Sequence, residues 1–502
     1  MKEHPTDYWL DRARSAKRHN AALIDGSFGA AGGAETFAKT SPIDGTVLAE
    51  FPVGTVADVD SAVASARTAF DDGRWKDLPV TERKRALFKL ADLIAAHTEE
   101  LAVLDVVDVG KPIRDALNVD LPLSLGVLRY CAEAMDKLLG TVTPADARTL
   151  AITVRAPRGV VGGIIGWNFP LVLAVQKMAP ALAVGNSLVL KPSELSSFSA
   201  LRLGELALEA GIPPGVFNVL PGLGRTVGVA LAGHPDVDLL TFTGSSATGK
   251  KIMQAAGASN MKRLLLECGG KAANIVCEDC PDLDGVADGI MARMFWNQGQ
   301  VCTAGTRLLV ARSVRSALVE KIIARAARLQ AGDPFDAATT FGAIVSRPQM
   351  DKILNYIRVG REQGASLIHG GTQVRESSGG FFVEPTVFDG VRADMTIAQE
   401  EIFGPVLSVM AFDTIDEAIR LANATNYGLS ATVWTQSTLI TQRMIQSLRA
   451  GEITINATGR PAPGAMFGSM PLEPQNQSGN GVESGLEGMS TYTTLKAIQV
   501  HT

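Results

Sequence analysis

Cysteine is scarce in this chain, with five residues in 502, at positions 131, 268, 277, 280 and 302. An odd number of thiols in a chain this long excludes a disulfide framework and suits a reducing compartment, so a cytoplasmic location is expected. Histidine is nearly as rare, and His4, His19, His97, His234, His369 and His501 all stand clear in sequence of the glycine-rich turns and of Cys302. A Cys/His hydrolase therefore has no support from sequence neighbours. No uninterrupted apolar run approaches the roughly 18 to 20 residues that a membrane helix needs. The opening MKEHPTDYWLDRARSAKRH mixes both charge signs and lacks the apolar centre of a secretory signal. Nor does one sign of charge dominate: 47 Lys and Arg against 52 Asp and Glu leave a net charge of −5, which predicts neither nucleic acid nor a membrane surface as partner.

What is present is a large apolar content, 46% of residues, punctuated by 50 glycines. That length and texture predict an α/β protein of two or three domains. Two amphipathic helical patterns come early, VDSAVASARTAF from Val59 and the longer TERKRALFKLADLIAAHTEELAVLDVV from Thr81, closed by the GKP that begins at Gly110. From Gly159 the texture changes to short apolar runs closed by Gly, Pro or Asn. GVVGGIIGWNFP, NSLVLKPS, GVFNVLPGLG, VDLLTFTGS and RLLLECGG each precede a segment with helical spacing, which predicts parallel strands and crossover helices. A second unit of the same kind follows Glu267, with a helix from Asp284 into WNQGQ and a strand at RLLVA. The tail beyond Ser484 ends in an alternation suited to an edge strand, one that could pair with a neighbouring subunit.

Several turns in this pattern carry chemistry. VLKPSE sets Lys191 and Glu194 just past a strand end, where open α/β sheets bind ligands, so the lysine could bridge hydroxyls or phosphate and the carboxylate could hold a ribose. A solvated loop with two charges is an equal alternative. FTGSSATGKK offers the backbone donors of Gly244 and Ser245 to a diphosphate. Gly244, Gly249 and Lys250 also fit GxxxxGK, but Lys251 occupies the position of the magnesium-binding Ser or Thr, which leaves a P-loop nucleotide hydrolase as an alternative class. Glu267 in RLLLECGGK stands where a carboxylate could activate water, although a strand-end glutamate in water is the commoner case. Cys277 and Cys280 form a lone CxxC with no second pair, so no metal is expected. Cys302, in WNQGQVCTAG, would by itself more often be packed than reactive, but its glycine neighbours permit close approach of a ligand.

Taken together the turns resemble the aldehyde dehydrogenase superfamily over nearly the whole chain. GWNFP (166–170), LKPSE (190–194), FTGS (242–245), LECGGK (266–271), NQGQVC (297–302) and EEIFGPV (400–406) follow the family's order and approximate spacing. The resemblance implies two parallel-sheet α/β domains plus a small β oligomerisation domain. Residues 1–135 and 158–266 would bind NAD, 267–475 would be catalytic, and 136–157 with 476–502 would bridge subunits of a homodimer or homotetramer. It also implies a Cys302 thiolate attacking an aldehyde, an oxyanion held by Asn168 and the Cys302 N–H, hydride transfer to NAD, and hydrolysis of the thioester by water that Glu267 activates. Lys177 and Glu483 match positions of a proton relay. Trp167, Lys191, Ser193, Glu194, Gly224, Gly244, Ser245, Gly269, Glu401 and Phe403 match cofactor positions. Glu194 favours NAD, with NADP possible, because a carboxylate beside the ribose hydroxyls repels an added phosphate. A protein of this fold that binds NAD without catalysis is a further alternative.

The chain departs from the family around the substrate. Gly166 replaces a proline before WNFP, and Gln176 stands where a pocket tryptophan is common. MFG replaces PFG, Arg460 enters the mouth segment, and nine residues separate FG from SG (469–477) where the family has four, with loss of its lysine. Gln176, Val301, Thr303, Arg460 and Phe467 are the expected substrate contacts. The whole chain is most similar to the branch oxidising γ-glutamylamino-butyraldehyde and other ω-aminoaldehydes. Its mouth segment ATGRPAPGAM has neither carboxylate nor aromatic for an amine, so a polar aliphatic or anionic aldehyde is expected, with Arg460 at its far end.

Overall fold

The computed structural model describes residues 4–29, 32–33, 35–457 and 468–501. All five apolar runs after Gly159 form strands, Val160–Ile164, Ser187–Lys191, Phe217–Val219, Leu239–Thr243 and Arg263–Glu267. They lie parallel in one eight-stranded sheet. The chain starts at the middle strand, steps outward through Ser187–Lys191 to Phe217–Val219, and then returns across to Leu239–Thr243. That reversal opens a crevice beyond the carboxyl ends of Val160–Ile164 and Leu239–Thr243, the place where doubly wound sheets take ligands. Ala22–Ile24 and Ser27–Gly29 close one edge antiparallel, and Gly479–Asn480 closes the other.

Why the runs are apolar throughout follows from their two covered faces. Val160, Val189, Leu240 and Leu266 pack in one cluster with Val59, Ala62, Val63 and Ala66 of the Val56–Asp71 helix. Their sequence neighbours Val161, Leu188, Leu190, Leu239 and Leu265 turn to the other side, where they join a core containing the Pro170–Ala183 and Phe198–Glu209 helices. The period-two alternation of a strand thus feeds two cores.

The long pattern expected as one helix from Thr81 is two, Val80–Ala96 and Thr98–Val109. His97 breaks it: its N–H still bonds to Leu93 at 3.0 Å, while its Nδ1 lies 2.8 Å from Glu100 Oε2, so one residue ends the first helix and starts the second. Gly110, at φ +70°, ends the latter in the left-handed conformation that glycine tolerates.

The second sheet has seven strands, with Ala273–Val276, Arg307–Ala311, Val406–Phe412, Thr386–Asp389, Ser430–Trp434 and Glu452–Ile455 parallel and Ser366–His369 antiparallel on one edge. The tail pairs within its own chain: Thr493–His501 runs antiparallel to Thr149–Pro157, in register from Thr493 opposite Pro157 to His501 opposite Thr149. Val142–Thr143 is the third strand of this outer sheet, so the C-terminal strand keeps one open edge. Among the described residues no helix is long and apolar enough to cross a membrane.

Candidate active site

The two large sheets meet through the short link between Glu267 and Ala273. Residues that follow strands of the first sheet therefore face residues that precede strands of the second. From the first come the 166–169 turn, Lys191, Gly244 with Ser245, and Glu267; from the second come Cys302, Glu401 and Phe403. Two missing side chains let the sides close. A Cβ on Gly269 would stand 2.3 Å from Glu401 Oε2, and one on Gly270 would stand 2.5 Å from the Cys302 carbonyl oxygen. The Gly270 N–H donates to Glu401 Oε1 at 2.9 Å, which fixes that carboxylate.

Cys302 follows three residues held at positive φ, Asn297 at 48°, Gln298 at 57° and Gly299 at 67°. This strained turn is tied down on all sides. Asn297 Nδ2 donates to the Asn168 carbonyl at 3.0 Å, Asn168 Nδ2 donates to the Gln300 carbonyl at 3.0 Å, and Gln300 Oε1 accepts from Val345 N–H at 3.0 Å. An amide nitrogen carries two hydrogens, so Asn168 keeps one for a second acceptor. Burial, then the charges of Glu267 and Glu401, push the Cys302 thiol up to about 12, against backbone N–H groups of Thr303 and Cys302 that favour the thiolate. The free enzyme thus holds a protonated thiol. Alkylation of Cys302 by iodoacetamide, measured against Cys302→Ala, is expected to climb about tenfold per pH unit from pH 7 to 9 with no plateau. A plateau near pH 7 would show a thiolate already formed.

Glu267, the last residue of its strand, is buried, and its carboxyl is raised well above the usual carboxylate range, first by burial and next by the charge of Glu483, with Lys177 opposing. Lys177 and Glu483 form a buried ion pair. The lengthened segment before Glu483 does not hang free: Leu472 and Glu483 exchange backbone bonds of 2.8 and 2.9 Å, Gln475–Asn476 pairs with Tyr427–Gly428, and Ser478 accepts the Cys268 N–H at 2.8 Å. It joins the two sheets behind Glu267.

The cofactor positions gather around the crevice. Lys191 is buried yet its ammonium has one bond, to the Pro192 carbonyl at 2.7 Å, and a looser contact of 3.5 Å to Glu194. An ammonium has three donors, so this one has capacity for hydroxyl or phosphate oxygens. Burial lowers its pKa. Ser193 shapes the turn by accepting Leu195 N–H at 3.2 Å and, through its carbonyl, the Ser197 hydroxyl at 2.9 Å. The Gly224–Gly228 turn lies alongside, since a Cβ on Gly228 would stand 3.8 Å from Lys191 Cδ. Ser245 caps the twelve-residue helix Ser246–Gly257 by accepting Thr248 N–H at 3.2 Å, just past Gly244, whose own N–H, expected to face a diphosphate, is instead taken by the Glu267 carbonyl at 3.0 Å. Because this helix begins at Ser246, Gly249 and Lys250 are helical and no phosphate loop spans Gly244 to Lys250. The P-loop alternative fails on that geometry. Across the crevice Trp167 meets Phe403 edge to face at 5.2 Å, and Phe403 has φ +59°. The chemistry of these residues suits a dinucleotide: a partly satisfied ammonium, a capped helix N-terminus, a partly exposed carboxylate and an aromatic pair.

Gln176 and Val301 are buried, and Thr303, partly exposed, accepts the Ser430 hydroxyl on its carbonyl at 3.3 Å. Arg460 and Phe467 lie outside the described residues. Four residues escaped the sequence reading. Gln349 Nε2 donates to the carbonyls of Ile402 and Phe403 at 3.1 and 2.9 Å and so holds the Phe403 turn. Phe169 and Trp296, rings 5.0 Å apart, wall the approach between Asn168 and Asn297. Lys271, buried beside Glu401, has no hydrogen-bond partner on its ammonium among the described residues, and burial with the charge of Arg307 lowers it to about 7. The GGK run was visible in sequence; the depth of its lysine was not.

A cysteine beneath a crevice built for a dinucleotide, with a desolvated carboxyl behind it, defines an oxidoreductase that works through a covalent sulfur intermediate. Comparison with known proteins is more specific. The aldehyde dehydrogenase family profile matches residues 29–498. The NADP/NAD-dependent aldehyde dehydrogenase PuuC of Escherichia coli is 43% identical over 500 residues, covering 100% of this chain and 99% of that protein. The P. syringae indole-3-acetaldehyde dehydrogenase AldA, solved in complex with NAD+ and IAA, superposes with a TM-score of 0.97 at 46% identity, covering 100% of both chains. A γ-glutamyl-γ-aminobutyraldehyde dehydrogenase structure from Burkholderia cenocepacia gives 0.96 at 46% identity, covering 99% of this chain and 100% of that one. The chain belongs to the aldehyde dehydrogenase family, the NAD(P)-dependent oxidoreductases of aldehydes.

Proposed function

We propose that Cys302 is the nucleophile, Asn168 the oxyanion donor and Glu267 the base in the NAD(P)-dependent oxidation of a polar aliphatic aldehyde to its acid. The Cys302 thiol passes its proton to Glu267, from which it leaves through the Lys177–Glu483 pair, as its sulfur bonds to the carbonyl carbon, and the oxygen takes the negative charge of the resulting thiohemiacetal. The second N–H of the Asn168 amide, which is tied by its first to the Gln300 carbonyl, and the Cys302 backbone N–H would receive that oxygen. When bound, NAD(P)+ would accept the hydride that leaves the carbonyl carbon, so that the thiohemiacetal becomes a thioester on Cys302. Trp167, Lys191, Ser193, Glu194, Gly224, Gly244, Ser245 and Gly269 would hold its adenosine and diphosphate portions, with Glu401 and Phe403 at the nicotinamide end. Glu267 then takes a proton from the water that attacks the thioester, and the Lys177–Glu483 pair provides the path by which that proton leaves. The observation that carries this reading is the Cys302 turn tied to the Asn168 backbone and amide by two hydrogen bonds of 3.0 Å, with a buried carboxyl, Glu267, ending the neighbouring strand.

Gln176 and Thr303 supply polar surface beside Val301, with Arg460 and Phe467 proposed at the mouth. The similarity to the Burkholderia enzyme favours ω-aminoaldehydes or γ-glutamylamino-butyraldehyde as the second reading. A panel of aliphatic, acidic and amino aldehydes, followed by NADH formation, separates them. The first reading expects kcat/KM for an acidic aldehyde to exceed that for an amino aldehyde of equal length by about tenfold, the scale of one favourable charge contact. The reverse order would assign the enzyme to amino substrates. The ranges 1–135 with 158–266, 267–475, and 136–157 with 476–502 are proposed as cofactor, catalytic and bridging domains. Exposed Val142, Leu150, Leu495 and Val500 on the outer sheet support a homodimer or homotetramer, and five free thiols suit the cytoplasm.

A further inference from the structure

All nine residues from Leu101 to Val109 are buried, and two of them are aspartates. Buried carboxylates require partners. Asp108 Oδ2 accepts Phe198 N–H at 3.0 Å, where the Phe198–Glu209 helix begins. Asp105 Oδ2 accepts Leu171 N–H at 3.4 Å, in the first turn of the Pro170–Ala183 helix. One helix thus places a carboxyl group at the N-terminal end of each of two others. Lys111, in the turn that follows, is buried and ion-pairs with Asp120. Its ammonium also stands 4.3 Å from the centre of the Phe169 ring. Phe169 joins Asn168 to the Pro170–Ala183 helix, and its ring meets that of Trp296 at 5.0 Å. The same turn reaches the Cys302 loop from another side: Ala343 N–H donates to the Gly110 carbonyl at 2.9 Å, and the Ala343 carbonyl accepts from Gln300 Nε2 at 3.4 Å.

We infer that Lys111, held by Asp120 and flanked by Asp105, is a positioning residue for the Asn168 amide, acting through the Phe169 ring and the first turn of the helix beyond it. The inference rests on the reading of Asn168 as oxyanion donor. A donor stabilises the oxyanion only if it is aimed before the charge develops, and a shift on the order of 1 Å costs about 10²-fold in rate. Lys111 acts on the amide through the Phe169 ring, 4.3 Å from its ammonium and next to Asn168 in the chain. Asp105 adds a pH response. Lys111 and the Ser199 hydroxyl favour its charged form, Asp120 and Asp108 oppose it, and burial, the largest cause, brings it to about 7. As pH falls through that value the helix start loses its carboxylate.

The test measures kcat and KM for Lys111→Met and Lys111→Arg, each alone and combined with Asn168→Ala. Lys111→Met is expected to lower kcat about tenfold with KM for NAD+ unchanged, Lys111→Arg to recover most of the loss, and Lys111→Met to cost less than about twofold once Asn168 is alanine. If Lys111→Met does not fold, Asp105→Asn keeps an acceptor beside Leu171 and is expected to remove a step in kcat near pH 7. A tenfold loss in both backgrounds, no loss in either, or an unchanged step in Asp105→Asn overturns the inference. An Asn168→Ala enzyme with wild-type kcat overturns the oxyanion reading itself, and the role of Lys111 with it, whatever the Lys111 variants do.

Discussion

Cys302→Ala is expected to lower kcat for aldehyde oxidation by roughly 10⁴-fold or more, since loss of a nucleophile removes the whole covalent route. NAD+ affinity should change little. The proposed cofactor contacts come from Lys191, Glu194, Ser245 and Glu401, whose own supports, the Pro192 carbonyl, the Thr248 N–H and the Gly270 N–H, do not involve the sulfur. Fluorescence titration with NAD+ and steady-state NADH formation on the same preparation check both halves. Appreciable turnover without the thiol would remove Cys302 from the chemistry. A joint loss of binding and turnover would mean that alanine disturbs the turn before Cys302, where Asn297, Gln298 and Gly299 stand at positive φ.

Glu267→Gln should separate the two halves of the reaction. With the thiol intact, one NADH per subunit forms in a burst, while steady turnover falls by about 10³-fold because water attacks the thioester without a base. The pH profile gives an independent check. Glu267 is raised because burial and the charge of Glu483 both disfavour its ionised form. Its basic form therefore accumulates only as pH climbs above the ordinary carboxylate range, so the wild-type hydrolytic rate should rise with pH through that raised value. Glu267→Gln should lose this rise. A Glu267→Gln enzyme that turns over steadily with an unaltered profile would assign the base elsewhere.

The sheets were legible because both faces of each central strand are covered: a run such as NSLVLK has one plausible fate when flanked by Gly, Asn and Pro. The helix from Thr81 was read as continuous because apolar spacing carries through AAHTEE, whereas the break depends on the His97 and Glu100 side chains closing on one another. The tail alternation was read correctly as an edge strand, but its partner, Thr149–Pro157, lies more than 300 residues earlier, beyond any local pattern. In the site, motif residues were legible and their supports were not. Gln349, Lys111 and Asp105 sit in segments whose composition is ordinary until the chain folds around them. One signal was available: AVLDVVDVGKP places two carboxylates and a lysine inside an apolar run, a pattern that demands buried partners. The near P-loop misled in the opposite way, since GxxxxGK describes spacing and the helix start at Ser246 decides what the spacing does.

Covalent catalysis at Cys302 requires an acyl group attached to its sulfur before water arrives. Intact-protein and peptide mass spectrometry of Glu267→Gln, quenched in acid within seconds of mixing with aldehyde and NAD+, should show one acyl adduct per subunit on the peptide containing Cys302. The adduct should be absent from the Glu267→Gln, Cys302→Ala double variant. An unmodified Cys302 in a preparation that has completed its burst of NADH, or an adduct that survives in the double variant, would contradict covalent catalysis at this residue.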